Sequence, residues 1–206
     1  FQSQVNLGVE KSSSDYFSIL EFDDQYSTTI FNYFEKHVNN IDDAKIFMPI
    51  IIEVNENQQA IKLTNQLVWS KEFIGENTKM GYLNPNSLND YTDFKISGSF
   101  FERDSFIEIG GLKSNIVLAF NYEFLLRALN NGLGIYNLPK IGYKHMTDRE
   151  GSLFKTYATE LSMKERKFWF NTAKNESNFN NNRFIDTTEL DKKTEEEIEK
   201  EFSETK

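Results

Sequence analysis

Residues 16–24 read Tyr-Phe-Ser-Ile-Leu-Glu-Phe-Asp-Asp, an aromatic and β-branched run that ends in acidic residues. This composition predicts a buried strand over residues 16–22, with the carboxylates at its carboxyl end. If the strand continues, alternation places Glu21 and Asp23 on one face, where both reach a single cation. Carboxylate oxygens suit Mg²⁺ or Mn²⁺, so the run predicts a divalent metal site. Its composition also suits a turn at Asp23-Asp24 that caps the next helix.

Predicted strands and helices alternate along the rest of the chain. Further strands are predicted over residues 45–52, 95–101, 135–138 and 141–145. Helices are predicted over residues 27–38, 60–68, 103–109, 122–129 and 157–173. Gly98 interrupts one strand, which often marks the close approach of a backbone or ligand. This alternation indicates an α/β domain, in which ligands bind at the carboxyl ends of strands.

Composition excludes several classes of function. The chain has 206 residues, with 32 Asp and Glu against 23 Lys and Arg, for a net charge of −9. An acidic chain lacks the basic surface that phosphate neutralisation requires, so we expect no nucleic-acid partner. The absence of cysteine excludes thiol nucleophiles, thiolate metal sites and disulfides. Apolar runs are shorter than the roughly 18 residues of a membrane span, and we expect a cytoplasmic protein.

The segment from Asn6 to Asp24 resembles part of the family 2 glycosyltransferases of the GT-A fold. In that family Asn-x-Gly precedes a hydrophobic strand and an Asp-x-Asp-Asp motif, and Asn6 and Gly8 match its first part. Residues 96–111 resemble the acceptor-side segment that ends in Ile-Gly-Gly, and residues 121–132 resemble a helix that follows it. The closing strand of the family is matched by Pro139, Tyr143 and His145.

The resemblance implies a GT-A-like, Rossmann-related mixed sheet flanked by helices and followed by C-terminal helices. It also implies an inverting transfer of a sugar from a nucleotide-diphosphate donor to a glycan, lipid or protein acceptor. In that chemistry Mn²⁺ or Mg²⁺ stabilises the departing diphosphate. The positions matched to metal binding are Glu21, Asp23, Asp24 and His145, although a lone histidine on a strand is often structural. The positions matched to substrate binding are Asn6, Gly8, Gly98, Arg103, Gly110 and Gly111.

The catalytic base of the family is replaced in this chain. The family's catalytic Asp aligns with Asn121, and an amide cannot accept a proton at neutral pH. Asn121 is therefore predicted to orient an acceptor hydroxyl without deprotonating it. Glu123 is the other candidate catalytic residue, but it lies about 200° around the helix from position 121 and suits a surface ion pair with Arg127. Asp148 and Glu150 are further candidate bases.

The resemblance divides the chain into three parts. Residues 1–152 match the C-terminal part of a GT-A-like domain, whose nucleotide-binding strands are expected before this segment. Residues 153–185 are predicted to be a helical extension, and residues 186–206 an acidic tail that is a solvated helix or disordered. Two alternatives to a transferase stay open. One is a binding or scaffold module that has lost its base, and the other is a metal-dependent hydrolase of nucleotide diphosphates.

Overall fold

Helices and strands alternate through the computed structural model, which describes residues 1–71, 73, 79–88, 91–147, 149, 151–152 and 159–176. Its helices are α1 (Gln2–Lys11), α2 (Ile30–Val38), α3 (Pro85–Leu88), α4 (Arg103–Glu108), α5 (Phe120–Asn130) and α6 (Met163–Glu176). Its strands are β1 (Tyr16–Ser18), β2 (Gln25–Tyr26), β3 (Ala44–Val54), β4 (Ala60–Thr64), β5 (Phe100–Glu102) and β6 (Gly134–Met146). A 3₁₀ helix covers Gln66–Trp69.

The six strands form one mixed sheet in the order β1, β5, β3, β6, β2, with β4 paired to β3 outside this path. β3 and β6 pair in parallel, from Ala44 opposite Gly134 to Val54 opposite Met146. All the other pairs within these strands are antiparallel. Because β3 and β6 run in the same direction, their carboxyl ends meet at one edge of the sheet.

Side chains of β3 alternate between two hydrophobic cores. Ile46 and Met48 belong to the larger core, which includes residues of α1, α4 and α5. Phe47 belongs to the smaller core, together with Ile30 of α2 and Leu138 of β6. Helices therefore cover both faces of the central strands, which explains why β3 is apolar over most of its length. The predicted α/β architecture is confirmed.

Local periodicity predicted α2, α4, α5 and β3 correctly, with small differences at their ends. The helix predicted over residues 60–68 is wrong, because Ala60–Thr64 pairs with β3 as strand β4. Of the strand predicted over residues 95–101, only residues 100–101 lie in a strand, which is β5. The two strands predicted around Pro139 form the single strand β6, whose register with β3 skips from Leu138 to Ile141. This irregularity accommodates the proline, which cannot donate to a regular ladder.

The C-terminal part of the described chain is helical. α6 packs against α5 and buries Trp169 and Ala173. Residues 157–158, at the start of the predicted helix, and the predicted acidic tail of residues 186–206 lie outside the described residues. Of the helices that the structure describes, none combines the length and the apolar character that a bilayer span requires.

A buried network of charges joins α5 to the loop after α4. Arg127 and Glu123 are both 0% exposed, and Arg127 donates to the Glu123 carboxylate over 2.7 and 2.9 Å. The same guanidinium donates to the carbonyl of Gly111 over 2.7 Å and to that of Ile109. Lys113 Nζ lies 3.1 Å from Glu123 Oε1. The predicted ion pair of Glu123 and Arg127 forms, but it is a buried pair and not a surface one.

Candidate functional site

A tight turn after β1 brings the carboxylates of Glu21 and Asp24 together. β1 ends at Ser18, and the Asp24 amide donates to the Glu21 carbonyl over 3.2 Å, which closes a four-residue turn. The Glu21 amide in turn donates to the hydroxyl of Tyr143 over 3.0 Å. Because the strand stops before Glu21, alternation along a strand does not apply to these residues.

The pairing of β2 with β6 places Asp24 beside His145. Gln25 pairs with Lys144 in antiparallel register, so the residues next to them, Asp24 and His145, also lie opposite each other. His145 Nδ1 lies 2.8 Å from Asp24 Oδ2, and the Met146 amide donates to Asp24 Oδ1 over 2.9 Å. Since a carboxylate only accepts, the imidazole carries its proton on Nδ1 when it makes this bond.

The charge of Asp24 is set by two opposing effects. Burial raises the pKa of Asp24, whose residue is 7% exposed. The hydrogen bonds from His145 and the Met146 amide outweigh burial and hold the pKa of Asp24 below its usual value. Asp24 is therefore an ionised, buried carboxylate at neutral pH.

Glu21, Asp24 and His145 together form a group that we call the acidic triad. One potential ligand atom from each residue lies within 4.8 Å of the other two. The Ser97 hydroxyl donates to Glu21 Oε1 over 2.5 Å and fixes that side chain. A ring nitrogen of His145 is the third potential ligand atom. Two carboxylates and an imidazole fit a divalent cation, and the nitrogen donor favours Mn²⁺ over Mg²⁺.

Asp23 lies outside the acidic triad. Its Oδ2 is 3.1 Å from Nε of Arg149, with which it forms an ion pair. The expectation that Asp23 shares a cation with Glu21 required the strand to continue, and the turn brings in Asp24 instead. The alternative prediction of a turn here agrees with the structure, but α2 begins after Thr29 without a side-chain cap.

Gly98 lies where the backbone packs directly against the ring of Tyr143. Its φ is +71°, and a Cβ at this position would lie 2.3 Å from Tyr143 Cδ2. Burial raises the pKa of Tyr143, so its hydroxyl keeps its proton while it accepts from Glu21. The interruption of the strand pattern at Gly98 therefore marks a contact that supports the triad.

Replacing Gly98 with alanine is expected to lower the free energy of unfolding by about 2 to 4 kcal/mol, since it adds a clash to a strained φ. Gly132→Ala is the matched control, because Gly132 has φ +78° and no atom within 4 Å of the place where its Cβ would lie. The control measures the free-energy cost of alanine at a positive φ alone, which is about 1 kcal/mol. Urea unfolding of both variants checks the difference, and equal losses would contradict the packing argument.

Asn6 connects α1 to the loop after α4. Its Nδ2 donates to the Leu112 carbonyl over 2.7 Å, and the Leu112 amide donates to its Oδ1 over 2.9 Å. Gly110 and Gly111 end α4 with φ of +89° and +62°. A Cβ on Gly111 would lie 2.6 Å from Asn6 Oδ1. The structure thus gives these three predicted substrate residues a role in joining two helices.

The other predicted substrate residues also lie on α1 and α4. Arg103 Nε donates to the Val9 carbonyl over 3.3 Å, and its Nη1 donates to Asp104 over 2.9 Å. Gly8 is exposed on α1, with nothing within 4 Å of the place where a Cβ would lie. Of the predicted substrate residues, Gly98 packs against Tyr143, whose hydroxyl accepts a hydrogen bond from the amide of Glu21 in the triad.

The two candidate catalytic residues occupy different environments on α5. Asn121 is the second residue of the helix, and its Oδ1 is buried without a hydrogen-bond partner among the described residues. Glu123 is fully buried and bound to Arg127 and Lys113, so its carboxylate is not open to an acceptor. Asp148 and Glu150 lie outside the described residues. Sequence reasoning missed Ser97, which no local pattern distinguishes from other serines.

Comparison with known proteins supports the predicted fold but identifies no family. No protein-family model and no curated protein sequence matches the chain. Among solved structures, the chain is similar to the crystal structure of S. aureus TarS 1-349, a glycosyltransferase, with a TM-score of 0.52 and 8% identity. The fold is GT-A-like. The match covers 85% of this chain and 59% of the TarS chain, so this chain spans less than two thirds of that structure.

Proposed function

We propose that this chain belongs to a metal-dependent glycosyltransferase that moves a sugar from a nucleotide-diphosphate donor to an acceptor hydroxyl with inversion. The observation that carries the proposal is the acidic triad at the end of β6 in a GT-A-like sheet. Ligands of α/β sheets bind at the carboxyl ends of the strands, where this triad lies. The similarity to a glycosyltransferase supports sugar transfer as the general class of reaction.

In the proposed site, Mn²⁺ or Mg²⁺ would be held by one carboxylate oxygen each from Glu21 and Asp24 and by a ring nitrogen of His145. A cation there would supply positive charge to the departing diphosphate. The chain's own residues keep the ligands in place. Asp24 orients the imidazole of His145, and Ser97 fixes the Glu21 carboxylate. The Tyr143 hydroxyl holds the backbone of the turn.

In this proposal Asn121 is the residue that positions the acceptor hydroxyl. The Asn121 amide, near the N-terminus of α5, would orient the acceptor hydroxyl. It cannot retain the proton that this hydroxyl loses. The same observation favours a second candidate function, a GT-A-like module that binds its ligands without transferring the sugar.

Replacing Asn121 with aspartate distinguishes the two functions. We expect Mn²⁺-dependent sugar transfer by the complete protein, and an increase of about 10²-fold or more in the variant because a general base is restored. The matched control is Asn32→Asp, which adds the same charge in the first turn of α2. Transfer is measured by mass spectrometry of the products with a panel of nucleotide sugars and acceptors.

Each outcome of this assay has a distinct meaning. An inert parent with an active Asn121→Asp variant supports the module that has lost its base. Free sugar in place of transferred sugar indicates a hydrolase. No turnover by either protein contradicts the proposed transferase.

A further inference from the structure

Phe22 lies in the turn between two members of the acidic triad and is almost entirely exposed. The residue is 98% exposed, the highest value among the exposed large apolar residues that the structure describes. Leu20, two residues earlier, is 55% exposed. Glu21 lies between them, so the half-buried carboxylate is flanked by two exposed apolar side chains.

An exposed phenylalanine gives this turn no evident structural benefit. Turn positions favour Gly, Asn, Asp, Ser and Pro, each for a backbone reason that Phe does not share. A phenylalanine stabilises a fold by removing its ring from water, which does not occur at Phe22. The ring is therefore available to a ligand.

The turn presents Phe22 from a fixed backbone. The residue before Phe22 is held by the Tyr143 hydroxyl, and Asp24 is held by the Met146 amide and His145. Adjacent Cα atoms are about 3.8 Å apart, so the ring starts one residue from a proposed metal ligand. We expect the groups that neighbour the phosphates of a ligand at the triad to lie near this ring.

We propose that Phe22 is a platform on which the apolar face of a sugar ring stacks when a sugar diphosphate binds at the acidic triad. This inference rests on the proposed function. A pyranose exposes several C–H groups on one face, and the negative face of an aromatic ring attracts their partial positive charge. Phe22 is then a specificity-determining residue that favours a sugar-bearing ligand over a bare diphosphate. The stacked ring belongs either to the donor sugar or to a sugar of the acceptor.

The test compares ligands with and without a sugar in the presence of saturating Mn²⁺. Titration calorimetry of the full chain measures its affinity for inorganic pyrophosphate, uridine diphosphate and UDP-glucose. We expect Phe22→Ala to weaken the binding of UDP-glucose by about 3- to 10-fold. The affinities for pyrophosphate and uridine diphosphate are expected to stay unchanged. Phe22→Trp restores the affinity because it keeps an aromatic face. Phe31→Ala is the control, because Phe31 is 51% exposed but lies on α2, outside the turn.

A second arm identifies the source of the sugar. Binding to a glycan array in the presence of Mn²⁺ and uridine diphosphate is compared for the parent and Phe22→Ala. Weaker UDP-glucose binding assigns the platform to the donor, and weaker glycan binding assigns it to the acceptor. Equal affinities of parent and variant in both arms overturn the platform while leaving the proposed function intact. Absence of any Mn²⁺-dependent binding by the parent overturns both.

Discussion

Replacing Arg127 with methionine is expected to lower the free energy of unfolding by about 3 to 5 kcal/mol, as for other buried ion pairs that lose one partner. Arg127 makes two charge-assisted bonds to Glu123 and also satisfies the carbonyls of Ile109 and Gly111. Its removal leaves the Glu123 carboxylate 0% exposed, with one fewer cation beside it. Urea unfolding at pH 7 measures the loss.

Two further variants make this result interpretable. Lys79→Met breaks an ion pair of 2.9 Å with Asp43 in which both side chains are exposed, and it is expected to cost less than about 1 kcal/mol. Arg127→Lys keeps the charge but not the planar fork, so its stability should lie between those of the parent and Arg127→Met. A loss below about 1 kcal/mol for Arg127→Met would contradict the role of this network.

Replacing Asp24 with asparagine is expected to weaken Mn²⁺ binding by at least about 10-fold. The variant removes one carboxylate of the acidic triad and the anionic acceptor that orients His145. The pKa of Asp24 lies below its usual value, so the parent carries this negative charge throughout the neutral range and the variant does not. Titration calorimetry with Mn²⁺ at pH 7 measures the change.

The neighbouring carboxylate provides the matched control for this prediction. Asp23→Asn removes the same charge one residue away, where the side chain pairs with Arg149 and lies outside the triad. Its effect on Mn²⁺ affinity is expected to stay within about 3-fold, as for a charge that acts through solvent. Equal losses for the two variants would contradict the ligand set that the turn creates.

The fold was largely predictable because its main elements are specified by local pattern. α2 and α5 show apolar residues at helical spacing, and Gly132 follows the end of α5 with a positive φ. β3 is a continuous apolar run because it is buried on both faces. The strand β4 was missed because Ala60–Thr64 alternates weakly, and its pairing with β3 overrides its local preference.

The geometry of the site depends on contacts that are distant in sequence. Glu21, Asp23, Asp24 and His145 were predicted as metal ligands from the resemblance, but the turn that brings Asp24 to Glu21 depends on Tyr143, 122 residues from Glu21. The burial of Glu123 likewise involves Lys113, in the loop after α4, whose Nζ lies 3.1 Å from Glu123 Oε1. The i, i+4 spacing of Glu123 and Arg127 predicts their ion pair. It does not show whether that side of the helix is covered by other elements.

In the proposed function, the acidic triad binds a divalent cation that supports binding of a nucleotide diphosphate. Titration calorimetry of uridine diphosphate against the complete protein, with Mn²⁺ and with EDTA, tests it most directly. We expect binding that requires Mn²⁺, is lost in Asp24→Asn and is retained in Asp23→Asn. Equal binding in Mn²⁺ and EDTA, or no binding by the parent in either, would contradict it.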